Sequence, residues 1–257
     1  MSESSEVRCV IADDGVATIT MARPPDNRLD VSLVGALAAH LEALDEDKRC
    51  RAVVLRAEGV HFCAGASLQP TTQPDLTSAG RHLYDEAVRL FATGKPIVAA
   101  VRGAAIGGGL GLALVADFRV GCPSTRLSAN FSRLGFHHGF GLSVTLPAVV
   151  GQQAALDLLL TGRRINGEEA LDLGLLDNLV PDADIDARAE QRAREIAASA
   201  PLAVQSIRAT MRAGLADRVR AALTRERAEQ QRLRQSEDFA EGVAAYAERR
   251  PPNFRGR

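Results

Sequence analysis

Two β-rich runs open the chain. At residues 7–12 and 16–22, branched apolar residues flank Asp13, Asp14 and Gly15, a turn-forming trio, and the pattern predicts a hairpin. Leu33, Leu37, Leu41 and Leu44 then return every three or four positions behind Ser32. This spacing predicts a helix capped by Ser32 and closed by the charged run 45–49. A β-branched segment at 52–57 reads as a strand, as do the apolar runs 97–101 and 118–121, with helical spans predicted over 75–93 and 108–115. From about Leu142 the β signal gives way to helical patterns at 154–160, 167–173, 185–199, 202–212 and 219–234. Alternating strands and helices predict an α/β core over 1–195 and a C-terminal helical region over 196–257. The stretch 185–250 is rich in Ala, Arg and Glu, but Pro201, Gly214 and Gly242 interrupt it too often for a coiled coil. A helical layer packed on the core or on a sister subunit is expected.

Composition narrows the partners. Hydrophobic residues make up 46% and charged residues 25% of 257 residues, the balance of a folded protein with a substantial core. The net charge of -1 provides no cationic excess for a phosphate backbone or an anionic membrane, so neither nucleic acid nor membrane is an expected partner. Lys48 and Lys95 are the only lysines, so the cation is almost all arginine, suited to forked binding of phosphate or carboxylate. Apolar stretches such as 97–101 and 110–115 fall short of the roughly 20 residues of a bilayer span. The polar N-terminal residues have neither the layout of a secretory signal nor that of a transit peptide, and the expected location is cytoplasmic. Cys9, Cys50, Cys63 and Cys122 lack metal-ligand spacing and read as free thiols, so no metal is expected.

Two glycine-bearing loops carry the candidate chemistry. The first, residues 103–111, lies between a predicted buried strand and an apolar helical segment. It lacks the last glycine of a dinucleotide fingerprint and has no Gly-Lys-Ser/Thr of a nucleotide-binding loop. What it offers is backbone N–H groups able to hold an anion or a developing oxyanion; tight strand-to-helix packing is the alternative. The second, residues 61–68, follows the strand at 52–57 with small residues that leave its amides accessible. Two such loops at neighbouring strand ends would place two N–H donors on one carbonyl oxygen.

On these and further motifs the chain resembles the crotonase (enoyl-CoA hydratase/isomerase) superfamily over nearly its whole length. The resemblance rests on Phe62-Cys63-Ala64-Gly65-Ala66, on residues 95–103, on Gly107-Gly108-Gly109 followed by Ala116-Asp117, and on Thr161-Gly162-Arg163 with Glu169-Ala170, Gly174-Leu175 and Val180-Pro181. The tail adds Ser236, Asp238, Glu241-Gly242 and residues 250–254. It implies a right-handed spiral of ββα units with a C-terminal helical trimerisation region, assembled as a homotrimer or a dimer of trimers. It also implies an acyl-CoA thioester as partner, with coenzyme A entering as part of the substrate and no separate cofactor. The oxyanion-hole amides fall on Ala66 and Gly108. Ala64, Gly65, Ala66, Ser67 and Leu68 would line the adenine and pantetheine path, Gly107 and Gly108 the thioester, and Arg23 is a candidate phosphate contact. Ser67 departs from the aspartate often found there.

Three further departures bear on the reaction. The two catalytic glutamates of hydratases fall on Gly111 and Phe131, and the aspartate that some isomerases and dehalogenases use instead falls on Gly139. Each positioned acid or base contributes about 10²–10⁴-fold, so losing two slows hydration by roughly 10⁴–10⁸, about 5–11 kcal/mol. His137 and His138, just before Gly139, are the candidate replacements, with packing or capping as the alternative. His82, Tyr84 and Asp85 lie on a helical segment that lines the acyl pocket in the family, while His61 reads as structural. Phe131 turns the pocket floor apolar and favours a hydrophobic or bulky acyl group. Two classes of function follow: an enzyme that holds an enolate, acting as hydratase/isomerase, decarboxylase or C–C lyase, or a protein that binds acyl-CoA without transforming it.

Overall fold

The structure, a computed structural model, describes residues 6–66 and 80–257. The opening hairpin forms as expected: β1 (Val7–Ile11) runs antiparallel to β2 (Val16–Met21), with Val7 opposite Met21, and Gly15 turns between them at φ +83°. β2 then pairs in parallel with β3 (Ala52–Ala57), β3 with β4 (Ile97–Val101), β4 with β6 (Phe118–Gly121), and β6 with β9 (Asn178–Leu179). A second sheet joins β5 (Ala104–Ile106), β7 (Arg126–Ser128) and β8 (Arg164–Asn166).

The central strands β3 and β4 are buried on both faces, which explains why they read as continuous apolar runs. Val53, Leu55, Ala99 and Val101 face the main core, built with Leu33, Leu37, Leu41 and Leu44 of α1 (Val31–Glu46). Their neighbours Val54, Val98 and Ala100 face Ile185, Ala189, Ala193 and Ala197, the apolar stripe of α6 (Ile185–Ala197). Asp30, not Ser32, caps α1: its carboxylate accepts from Leu33 N at 2.8 Å, while Ser32 sits within the first turn.

Several elements depart from the expectation. β5, β7, β8 and β9 are two or three residues long, too short to give a period. Of the helix expected over 75–93, α2 (Leu83–Phe91) forms, and residues 75–79 lie outside those described. α3 (Gly108–Ala113) ends two residues early. α4 (Leu142–Thr161) begins twelve residues before the helix expected at 154. Its 20 residues and mean hydropathy of 1.3 match a membrane span in length and composition. Gly151, at φ +78° and ψ 162°, breaks it into two shorter helices, and Leu142, Leu146 and Leu158 are packed in the core. α5 (Gly167–Asp172), α7 (Pro201–Met211) and α8 (Leu215–Leu233) match the pattern within a few residues.

α9 (Glu237–Ala247) was not expected, and Gly242 lies inside it. A Cβ there would stand 2.6 Å from the Leu134 carbonyl carbon, so glycine serves close approach to the 3-10 turn Ser132–Leu134. The C-terminal helices are tied to the sheet by Asp117, whose carboxylate accepts from Ile97 N and from Arg208 and Arg212 of the α7 region, all at 2.8–2.9 Å.

Candidate functional site

The two glycine loops lie side by side. Residues 62–63 run along β5, with Phe62 N donating to Arg102 O (2.8 Å), Cys63 N to Ala104 O (2.9 Å) and Ile106 N back to Cys63 O (3.0 Å). On its other side the same loop receives Leu29 N at Gly65 O and gives Ala64 N to Asp26 O. The packing is backbone against backbone. A Cβ on Gly109 would lie 2.2 Å from Cys63 O, a distance no side chain tolerates, and Gly65 turns at φ +90° beside Ile106 O. Within this frame the N–H groups of Ala66 and Gly108 find no acceptor among the described residues.

Apolar side chains crowd Gly108, while Gly107 meets Asn130 Oδ1, 3.4 Å from where its Cβ would be, as well as an aromatic ring. Leu29 and Phe140 flank Gly108, with Leu29 Cδ1 2.8 Å and Phe140 Cδ2 3.7 Å from where its Cβ would be. Phe131 Cζ lies 3.5 Å from the corresponding point on Gly107. The Phe131 ring continues into Phe136 (centroids 5.4 Å) and Phe239 (5.1 Å from Phe136), an aromatic chain beneath Gly107. A Cβ on Gly111 would stand 2.7 Å from Phe140 Cβ, and one on Gly139 would stand 1.9 Å from Tyr84 Oη.

His137 and His138 form a stacked pair with ring centroids 4.1 Å apart. His137 Nδ1 lies 2.8 Å from His138 O; a carbonyl only accepts, so this nitrogen carries the hydrogen. His138 Nε2 lies 2.8 Å from Ser143 Oγ. Burial, with the charge of His137 second, pushes the pKa of His138 down from 6.5 to about 4, so the ring is neutral near pH 7. Tyr84 Oη donates to Gln230 Oε1 at 2.7 Å, and Gln230 Nε2 donates to His137 O at 2.9 Å. Burial, followed by the nearby charge of Glu226, raises the Tyr84 pKa well above its ordinary value, so the phenol stays a donor.

Other candidates have different roles. His82 and Asp85 form the capping box of α2, with His82 Nδ1 accepting from Tyr84 N and Asp85 Oδ2 from His82 N. His61 Nδ1 accepts from Ala104 N and holds the loop as a structural residue. Arg23 is not presented bare to a phosphate: its guanidinium donates to Asp30 Oδ2 at 2.6 Å and to Glu6. The Cys63 thiol is fully buried, and its pKa is pushed up to about 12. Ser67 and Leu68 lie outside the described residues. Sequence reasoning missed Ser143, Glu226 and Gln230. Glu226 and Gln230 stand one turn apart in a run of Arg, Glu and Gln that looks like a solvated face, yet both are buried against the His137–His138 loop.

Comparison with known proteins agrees with this geometry. Residues 12–257 match the family model for enoyl-CoA hydratase/isomerase. A probable enoyl-CoA hydratase of Rhodobacter capsulatus is 34% identical over 248 residues, 95% of this chain and 96% of the relative. The 1,2-epoxyphenylacetyl-CoA isomerase of Escherichia coli is 31% identical over 95% of this chain and 97% of its own. The crystal structure of an enoyl-CoA hydratase/isomerase from Pseudoalteromonas atlantica superposes with a TM-score of 0.87 at 32% identity, covering 98% of this chain and all of the other. With α/β architecture, helical C-terminus and matching motifs in agreement, the chain belongs to the enoyl-CoA hydratase/isomerase family of the crotonase superfamily.

Proposed function

We propose that this protein binds an acyl-CoA through its thioester carbonyl at the amides of Ala66 and Gly108 and stabilises the enolate of that thioester. The observation that carries this reading is the pair of N–H groups on adjacent loops, both without an acceptor among the described residues, with apolar side chains beside Gly108. Such fixed donors favour charge that develops on the oxygen, and each is worth roughly 10²–10³ in rate. The reaction is one that moves a proton or loses a carboxylate at the α-carbon, as in isomerisation or decarboxylation, rather than addition of water. Phe140 and Tyr84 Oη occupy the places of carboxylates that would hold a water or its proton. Proton movement falls to the His137–His138 pair, in which the His138 ring, its pKa pushed down to about 4 by burial, keeps a lone pair near pH 7.

The acyl group this site favours is apolar, a reading supported by Leu29 and Phe140 beside Gly108 and by Phe131 beside Gly107. Coenzyme A is held as part of the substrate along Ala64, Gly65 and Ala66, and no further cofactor is needed. Assembly as a homotrimer or a dimer of trimers is supported by α7, which leaves Leu202 (81%) and Met211 (80%) exposed beside Ile207. The second reading, an acyl-CoA binder without turnover, is favoured by the absence of a carboxylate at Gly111, Phe131 and Gly139.

Mass spectrometry of saturated, unsaturated and carboxylated acyl-CoAs incubated with protein in excess tests the reading. Loss of carbon dioxide, or an isomer resolved by chromatography, supports it, and gain of water overturns the exclusion of hydration. Tight binding with every thioester recovered unchanged gives the binder, and no binding at all refutes both.

A further inference from the structure

Glu226 belongs to α8, far along the chain from the glycine loops, and is 1% exposed. Three donors converge on its carboxylate: Gly141 N on Oε2 at 2.9 Å, and Ser143 N at 3.0 Å and Ser143 Oγ at 2.6 Å on Oε1. The first two satisfy the N-terminus of α4 from outside the helix, because Gly141 at the cap position has no side chain to do so. The third bond has a different consequence. A carboxylate oxygen only accepts, so the single hydroxyl hydrogen of Ser143 points to Glu226, and only lone pairs are left on Oγ. His138 Nε2, 2.8 Å from that oxygen, therefore carries a hydrogen and donates it.

We propose that Glu226 is a positioning residue for His138: through Ser143 Oγ it fixes the ring as the Nε2–H tautomer and leaves Nδ1 as the proton acceptor of the acyl site. Glu226 itself is excluded as the acceptor, since its oxygens are taken by three donors. The neighbouring ring holds the opposite arrangement, with His137 Nδ1–H donating to His138 O. The loop that carries both rings is pinned a second time by α8, where Gln230 Nε2 donates to His137 O. Phe140, two residues on, packs against Gly108 and Gly111, so the loop abuts the segment that bears the candidate amide.

The assignment rests on the enolate reading for its chemistry. His138 Nδ1 takes the α-proton; the C–H electron pair becomes the enolate, whose negative oxygen is held by the two amides. The imidazolium then returns the proton to carbon or gives it to solvent, and Nε2–H stays on Ser143 throughout.

Glu226→Gln would strip acceptors from the start of α4 and risks misfolding, so Ser143→Ala is the informative change. It removes the hydroxyl bridge and leaves both backbone N–H groups on Glu226. Long-range ¹H–¹⁵N correlation spectra of histidine-labelled protein near pH 7 are expected to show His138 in the wild type as a single Nε2–H form. In Ser143→Ala the pattern shifts toward a mixture with Nδ1–H, and Ser143→Thr restores it. Exchange of the α-protons of butyryl-CoA in D2O is expected to fall about tenfold to a hundredfold in kcat in Ser143→Ala, with KM unchanged. An Nδ1–H form in the wild type, or nitrogen signals in Ser143→Ala identical to wild type, overturns the assignment. The expected spectra from a wild type that exchanges no α-proton in any thioester would instead refute the enolate reading and leave the Glu226–Ser143–His138 link standing.

Discussion

Gly111 and Phe140 share one volume: a Cβ on the glycine would stand 2.7 Å from the Cβ of the phenylalanine and 2.8 Å from its ring. Phe140 holds its place at φ +61°, a left-handed backbone that a bulky residue rarely adopts, which implies that surrounding packing enforces it. The absence of a glutamate at 111 is thus coupled to the presence of an aromatic ring at 140. Gly111→Ala is expected to cost about 1–3 kcal/mol in urea unfolding through overpacking. Gly111→Glu alone is expected to gain no hydration of crotonyl-CoA. Combining Gly111→Ala with Phe140→Gly should give a loss smaller than the sum of the single losses, and simple additivity in the double-mutant cycle would show that the two sites are independent.

Gly108 is the first residue of α3, a position where proline fits helical geometry and removes the N–H, its Cβ displacing only the flexible end of Leu29. Gly108→Pro is expected to fold and to lose about 10²–10³ in turnover of the best acyl-CoA, the effect of one oxyanion donor. Wild-type turnover in this variant would remove Gly108 from the site.

His138 makes stability depend on pH in a defined window. Its pKa is about 4 in the folded protein and 6.5 when unfolded, so the unfolded chain binds the proton more readily. Stability is therefore full above pH 6.5 and declines as pH falls toward 4, by on the order of 3 kcal/mol over the whole interval. His138→Gln is expected to flatten the curve between pH 6.5 and 4.5, above the range where carboxylates join. Urea midpoints with the same slope in both proteins would rule this out.

Tyr84 and Gln230 form a buried pair whose loss is measurable without any substrate. Tyr84→Phe leaves Gln230 Oε1 without its donor and should cost about 1–3 kcal/mol. Gly139→Ala is expected to be worse, because the new methyl collides with Tyr84 Oη at 1.9 Å, and the two together should be less harmful than their sum. Thermal unfolding of the three variants measures this directly.

The family, the glycine loops and most of the long elements could be read from residue order, because apolar spacing at Leu33–Leu44 or in β4 reports burial locally. The short strands β5, β7, β8 and β9 could not, since hydrogen bonds from partners distant in sequence define them. Ser32 reads as the cap of α1 from its position ahead of the leucine repeat, but Asp30 is also a capping residue and the backbone turn places it at the cap. Arg23 looked like an anion ligand because its partners are not all local: Glu6 is 17 residues away. Glu226 and Gln230 had no signal of their own; their burial depends on where α8 lands. The glycine loops could be picked out from residue order, while the side chains around the histidines emerged only in three dimensions.

Cys63 gives the loop a built-in clock. Its sulfur is sealed among the loop amides with a pKa near 12, so neither solvent nor thiolate chemistry reaches it while the two loops stay together. Alkylating reagents would therefore leave the intact protein's loop unmarked, and modification of this thiol would time each separation of the loops. The rate of labelling reads how often the two loops part, and under the proposed function a thioester gripped by both should slow that count in proportion to its occupancy.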